Sequence, residues 1–354
     1  MYNLETFYPT ISTWFRRKYA HLKPAVVYPY PYGSEHPEDT VFDSAYEFPD
    51  TVLLLYDQEP IWSSIRWLDH FAEMFHDWGS TVILITAEKY GENLDSYVEK
   101  YGWSVVHYQH HYVASRDWYR GYRNHPLLMR PSERTLEKHF VCYNRLFAEN
   151  RPHRCKLVQD FYDNNLLNTA AYGFPAHDPL TQQSFESITG RADIQKILPL
   201  VIDDPEFNNG SFSIDLETAN TCGIHICTEN VFDQNENFFT EKIFKPMVLK
   251  QPFIVFGTCN TLNTLKEMGF KTFSTHWSEL YDTLKDHDAR YNAAFDVIKD
   301  LADQPLENIQ NMFKELGMRS ILEHNYEWFY MQRTLDNIVN GLYEDIQLKI
   351  PTQS

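Results

Sequence analysis

Between Ile224 and Gly257 the chain reads IHICTENVFDQNENFFTEKIFKPMVLKQPFIVFG. An apolar run ends at Thr228, Glu229 and Asn230. A polar loop follows, and then Phe238, Phe239 and Thr240 lead into Glu241 and Lys242. Thr240 is a residue type that caps a helix, because its hydroxyl can accept a hydrogen bond from an orphan amide of the first turn. The start of a helix carries positive potential, and Lys242 adds a full charge there, so the pair suits a diphosphate. Glu241 suits ribose hydroxyls, and Phe238 or Phe239 suits the face of a nucleobase. The same residues also fit an ordinary capped helix with solvated charges, since Thr-Glu-Lys is common at a helix start.

Two further stretches carry chemistry. His139 to Arg154 reads HFVCYNRLFAENRPHR, a short apolar run ending at Asn144 followed by several cations. Arg154 opens the next helical pattern, where a positive charge opposes the helix dipole unless an anion is present. Arg145, Arg151 and His153 stand close enough to join such a site. Leu53 to Pro60 reads LLLYDQEP, an apolar run ending in carboxylates. A carboxylate at the end of a buried strand can take a proton from an attacking hydroxyl. Glu59 is the candidate base. Asp57 points the same way in an extended strand and is its rival. Glu59 would serve equally well as a helix cap.

These residues need elements that bring them together. Short apolar runs at Ala25–Tyr28, Thr51–Tyr56, Val82–Thr86 and Ser104–Tyr108 predict strands. Pro60–Trp78 carries Ile61, Ile65, Leu68, Phe71, Met74 and Phe75 at helical spacing. Tyr112–Arg134 is polar, basic and aromatic and reads as the connection between two domains. Beyond it, strands are expected at Phe140–Tyr143, Ile224–Thr228, Phe253–Phe256 and Lys271–Phe273. Helices are expected at Arg154–Asn164, Glu241–Leu249 and Leu262–Met268, with mostly helical chain from Trp277 to about Tyr343. Continuous apolar strands alternating with helices predict α/β architecture with parallel sheets covered on both faces. The expected organisation is a Rossmann-like domain at 1–135, a second at 136–335, and a C-terminal helix or tail at 336–354. Ligands would collect in a cleft at the carboxyl ends of the strands.

Composition narrows the function classes. The chain has 354 residues and a formal net charge of -18. From Arg116 to Lys156, however, ten Lys or Arg stand against four acids, a basic island that suggests a local anion site. Its alternative is a solvated arginine-rich connector. The five scattered cysteines have no zinc spacing and read as reduced thiols of a cytoplasmic protein. No apolar run is long enough to span a membrane, and the first residues lack the pattern of a signal peptide. His107, His110 and His111 do not make a preformed zinc site.

The arrangement Glu229-Asn230, loop, aromatic pair, Thr240-Glu241-Lys242, helix, and apolar strand ending in Gly257 resembles the donor-binding signature of the α1,3-fucosyltransferase family. It is also similar to glycosyltransferase-like proteins of phages and marine bacteria. The likeness covers about 50 residues and fades outside them. It implies a GT-B fold, two Rossmann-like domains facing across a cleft. It implies that Glu241 and Lys242 meet the ribose and phosphate of a GDP-sugar, and that Phe238 packs by the nucleotide. Asn144 and Arg154 fit the family's strand end and phosphate-binding arginine. Glu59 fits its candidate base. The implied reaction is inverting transfer of a sugar from a nucleotide-sugar to a hydroxyl acceptor, a glycan in the first instance. Protein cations can do the work of a divalent metal at the diphosphate, so no metal or other cofactor is required.

Two other functions fit parts of the sequence. A phage-type enzyme glycosylating modified DNA bases would use the basic island with Trp118, Tyr119 and Tyr122, against which stands the acidity of the whole chain. A non-catalytic nucleotide-sugar-binding module would not need Glu59, Lys242 and Arg154 together.

Overall fold

The computed structural model describes residues 51–56, 60–61, 65–89, 91–148, 151–202, 210–234 and 237–350. It is α/β, with two parallel sheets. The chain forms two compact units. One contains the described residues up to Asp117, with Asn237, Phe238 and the segment from Gln332 onward. The other contains Trp118–Gln234 and Phe239–Met331. The first unit runs to Asp117, where the expected border was 135, and the stretch read as a connector from Tyr112 begins inside a helix. In the helix His110–Trp118, every residue from His110 to Ser115 is buried. The C-terminal helix Gln332–Lys349 belongs to the first unit.

In the first unit, β1 (Thr51–Leu55), β2 (Thr81–Thr86) and β3 (Ser104–His107) pair in parallel in the order β1-β2-β3. Leu53 stands opposite Ile83, and Ile85 opposite Val106. Val52, Leu54, Val82 and Leu84 are fully or almost fully buried against Leu68, Phe71 and Phe75 of the helix Ile65–Asp77. Each such side chain contributes about 1.5–3 kcal/mol by leaving water. The expected helix at 60–78 is therefore present over its periodic part. The strand expected at Ala25–Tyr28 lies outside the described residues.

In the second unit, β4 (Lys138–Tyr143), β5 (Ala170–Gly173), β6 (Cys222–Thr228) and β7 (Phe253–Phe256) form a parallel sheet in the order β5-β4-β6-β7. Every residue of β6 and β7 is buried, as continuous apolar strands require. Gly223 lets β6 lie close to its neighbours: a Cβ there would stand 2.7 Å from the His139 carbonyl oxygen and 2.9 Å from Ile309. The helix Pro152–Asp163 follows β4, and Thr261–Glu267 follows β7.

Two expectations fail here. The strand expected at Lys271–Phe273 is irregular chain. Asn325 takes both backbone groups of Lys271 at 2.8 Å, and Glu279 Oε1 accepts from the Phe273 amide at 2.6 Å, so side chains satisfy what a strand neighbour would. The helix expected at Glu241–Leu249 begins instead with a 3-10 turn, Glu241–Ile243, and continues as Phe244–Val248.

Candidate functional site: the carboxyl edge of the second sheet

Asn144, Glu229 and Gly257 directly follow β4, β6 and β7 at the carboxyl edge of the sheet, the edge where open α/β sheets collect ligands. Asn144 is buried. Its Oδ1 accepts from the Thr228 hydroxyl at 2.7 Å, which ties the ends of β4 and β6 together. Leu146–Ala148 continue from this strand end as a loop, and the helix Pro152–Asp163 has a proline as its first residue, as a helix start favours.

That loop is held by Asp178. One carboxylate oxygen accepts from the amides of Phe147 and Ala148 at 2.7 and 2.9 Å. The other accepts from the amides of Leu180 and Thr181 at 3.0 and 3.1 Å. Burial alone would raise the Asp178 carboxyl, but these four amides hold it below the usual range. The sequence reading did not select Asp178. The signal was its setting, Asp-Pro-Leu-Thr, which favours a turn closed by the aspartate side chain.

Arg154 is buried at the start of the helix, where the sequence placed it, but its partners belong to its own chain. It donates to the carbonyl oxygens of Leu146 at 2.8 Å, Thr228 at 2.9 Å and Glu229 at 3.0 Å, and to Asn230 Oδ1 at 3.1 Å. Burial lowers its pKa to about 10, so it stays cationic near neutrality. His153 Nε2 lies 3.0 Å from the Glu229 carbonyl oxygen, which can only accept, so Nε2 carries the hydrogen. Burial, with Arg154 beside it, keeps this imidazole neutral well below its ordinary range. Four buried polar atoms here have no hydrogen-bond partner: Arg151 Nε, His153 Nδ1, Arg154 Nε and Glu229 Oε1. Such a concentration is a sign of a polar occupant.

Across the edge, Glu229 is fully buried. Its Oε2 accepts from the Thr240 amide at 2.9 Å and from the Thr240 hydroxyl at 2.7 Å. Thr240 Oγ1 in turn accepts from Lys242 Nζ at 3.0 Å and caps the turn by accepting from the Lys242 amide at 3.5 Å. Glu241 Oε1 lies 3.2 Å from Lys242 Nζ and 3.2 Å from the Ser211 hydroxyl. Lys242 and Arg154 are therefore brought together through Thr240, Glu229 and Asn230. Gly257 sits close against this edge: a Cβ there would stand 3.1 Å from Val255 and 3.2 Å from the Thr261 hydroxyl.

The remaining expected residues separate. Arg145 is exposed beside Asn144. Phe238 is buried and meets His111 edge to face at 5.3 Å, both within the first unit. Phe239 is buried against Phe244 at 6.0 Å. Neither ring presents the open face that stacking on a base requires, because both fill core. Asp57 and Glu59 lie outside the described residues.

The basic island does not form one patch. Arg134 is buried and donates to the carbonyls of Met129, Leu249 and Lys250. Arg123 lies over the Tyr330 ring at 5.6 Å, and Lys138 Nζ donates to the Asn168 carbonyl at 2.8 Å. Lys156 pairs with Asp160 at 2.8 Å. Among the described residues, no group of three or more His, Cys, Asp or Glu is placed to hold a metal ion. Among them, too, no helix is long and apolar enough to cross a membrane. No protein-family model matches the chain, and no curated protein matches its sequence.

Proposed function

We propose that the chain is a glycosyltransferase of GT-B type that binds a nucleotide-sugar, a GDP-sugar by its resemblance to the α1,3-fucosyltransferases, at the carboxyl edge of the second sheet. The observation that carries this reading is the hydrogen-bond chain that links Lys242, through Thr240 and Glu229, to Arg154 at the start of the helix Pro152–Asp163, together with buried atoms of Arg151, His153, Arg154 and Glu229 that lack partners. Helix amides and cations at such an edge favour a diphosphate.

In this reading the roles differ from those the sequence suggested. Arg154 builds the wall of the site, since its guanidinium is committed to carbonyl oxygens. Lys242, whose side chain is one quarter exposed, and exposed Arg145 are the cations available to phosphate oxygens. The acceptor hydroxyl attacks the anomeric carbon while the bond to the diphosphate breaks. Its proton passes to a carboxylate, Glu59 or Asp57, and the cations stabilise the departing charge. A DNA acceptor is the weaker reading, because the chain as a whole is strongly acidic.

A thermal-shift screen of nucleoside diphosphates tests the reading. A ligand at a hundred times its dissociation constant stabilises by about 2.7 kcal/mol, a readily measured rise in melting temperature. GDP is expected to give the largest rise, and Lys242→Ala to remove most of it. A melting temperature unmoved by every nucleoside diphosphate would refute the assignment.

A further inference from the structure

Hydrogen bonds run in one direction through Thr240. Lys242 Nζ donates to Thr240 Oγ1 at 3.0 Å, and that hydroxyl donates to Glu229 Oε2 at 2.7 Å. The Thr240 amide gives Oε2 a second donor at 2.9 Å. Glu229 Oε1 is buried and has no partner. A fully buried carboxylate with one oxygen satisfied and the other bare is a costly place for a charge. Lys242 supplies the counter-charge.

Lys242 is also the cation that an incoming anion would attract. Its side chain is 25% exposed, whereas Glu229 is wholly buried behind it. Once Lys242 turned to a ligand phosphate, Glu229 would keep its charge in a dry place beside a new anion, with only Arg154, which bonds its carbonyl oxygen rather than its carboxylate, left to oppose it. A carboxylate relieves that strain by taking a proton. Oε1 is the oxygen free to hold it, because Oε2 already receives two donors.

We infer that Glu229 takes up a proton from solvent when an anionic ligand binds at the carboxyl edge of β6, and so weakens the Thr240-bridged hold on Lys242, which is left to Glu241 and the ligand. The inference rests on the reading of this edge as a diphosphate site. Glu229 is a positioning residue in it: ionised, it holds Lys242 through Thr240, and protonated, it loosens that hold. The groups around it define the balance. Burial raises the Glu229 carboxyl; Lys242 and the two Thr240 donors oppose this, and Glu241 reinforces it. Cys227 and Tyr119 also feel its charge. Arg154 and His153 meet its carbonyl oxygen rather than its carboxylate. His153 is the other group able to gain a proton beside an anion, so the experiment must separate the two.

The test is calorimetric titration of the full chain with GDP near pH 7, in buffers of different ionisation enthalpy. The expected result is net uptake of more than half a proton per GDP bound. Affinity should then fall by up to about tenfold per pH unit as pH rises. The terminal phosphate, with a pKa of about 6, would release a proton beside cations, which is the opposite sign. Glu229→Gln should bind GDP with uptake near zero. Lys242→Gln, altered at a partly exposed side chain, should bind more weakly with uptake reduced to less than half, because the cation whose departure drives protonation is gone. Binding without uptake in the unaltered protein, uptake retained in Glu229→Gln, or uptake unchanged in Lys242→Gln would each overturn the inference while leaving the diphosphate site standing. If no nucleoside diphosphate binds, the site and the inference fall together.

Discussion

Arg154 meets Glu229 at the backbone. The guanidinium donates to the Glu229 carbonyl oxygen at 3.0 Å, while the carboxylate turns to the amide and hydroxyl of Thr240. Two groups of opposite charge on one edge thus avoid a direct pair, and each organises a different wall. Arg154 fastens the ends of β4 and β6, and Glu229 fastens the turn that carries Lys242.

Arg154→Lys therefore acts on folding more than on ligand affinity. Lysine keeps the charge but cannot fork to the carbonyls of Leu146, Thr228 and Glu229. Leaving buried acceptors without donors is expected to cost about 2–4 kcal/mol, measured by urea unfolding. The GDP affinity of the folded fraction should change less than tenfold. A collapse of affinity with stability intact would make Arg154 a direct phosphate ligand instead.

Arg145→Ala has the reverse profile. The side chain is exposed, so stability should stay within about 0.5 kcal/mol. Affinity for GDP should drop roughly three- to tenfold, in line with one lost charge-assisted contact at an exposed position. Unchanged binding would exclude Arg145 from the site.

Asp178→Asn tests the loop beneath these cations. An amide nitrogen cannot accept, so one of the two pairs of backbone donors loses its partner. A loss of about 2 kcal/mol is expected. The pH dependence gives a second check. The folded carboxyl lies below its unfolded value of about 3.9, so its stabilisation is full above that value and is lost as pH falls through the folded pKa. Asp178→Asn should show a shallower acid limb below about pH 4.

Two buried histidines set the next limb. Burial, with Lys245 as a further cause, lowers His225 to about 3, and burial with Arg154 lowers His153 well below the ordinary value. In the unfolded chain both titrate near 6.5. Stability is full above about pH 6.5 and falls as pH drops toward 3, by up to ~1.4 kcal/mol per pH unit for each histidine. Urea unfolding at pH 7 and pH 5 measures the slope. His225→Gln should reduce it by about one proton, and an unaltered slope would count against this origin.

Much of this was legible in the residue pattern, and the failures have physical causes. Strands with unbroken apolar runs, such as Val52–Leu54 and Phe253–Phe256, could be read directly because burial on both faces leaves no polar alternation. β5, Ala170–Gly173, could not, since a short edge strand of small residues carries little apolar signal. The grouping of Glu229, Thr240, Lys242 and Arg154 was readable from strand ends and helix starts. What Arg154 does there was not, because an arginine at a helix start looks the same whether its partner is an anion or three carbonyls. The setting of Phe238 was hidden for a related reason: an aromatic beside a polar turn can face a ligand or a core, and only packing puts this ring against His111.

Arg134, Arg154 and Arg290 share one habit: each is buried, and each wraps carbonyl oxygens of distant segments. Buried acids such as Glu88, Glu229 and Asp282 offset these buried cations, so a chain with a formal charge of -18 keeps a strongly negative solvent-facing field. A phosphate-bearing visitor must then approach against long-range repulsion and be captured only at close quarters. Moderate salt, which screens the far field more than the enclosed edge, should hasten its arrival.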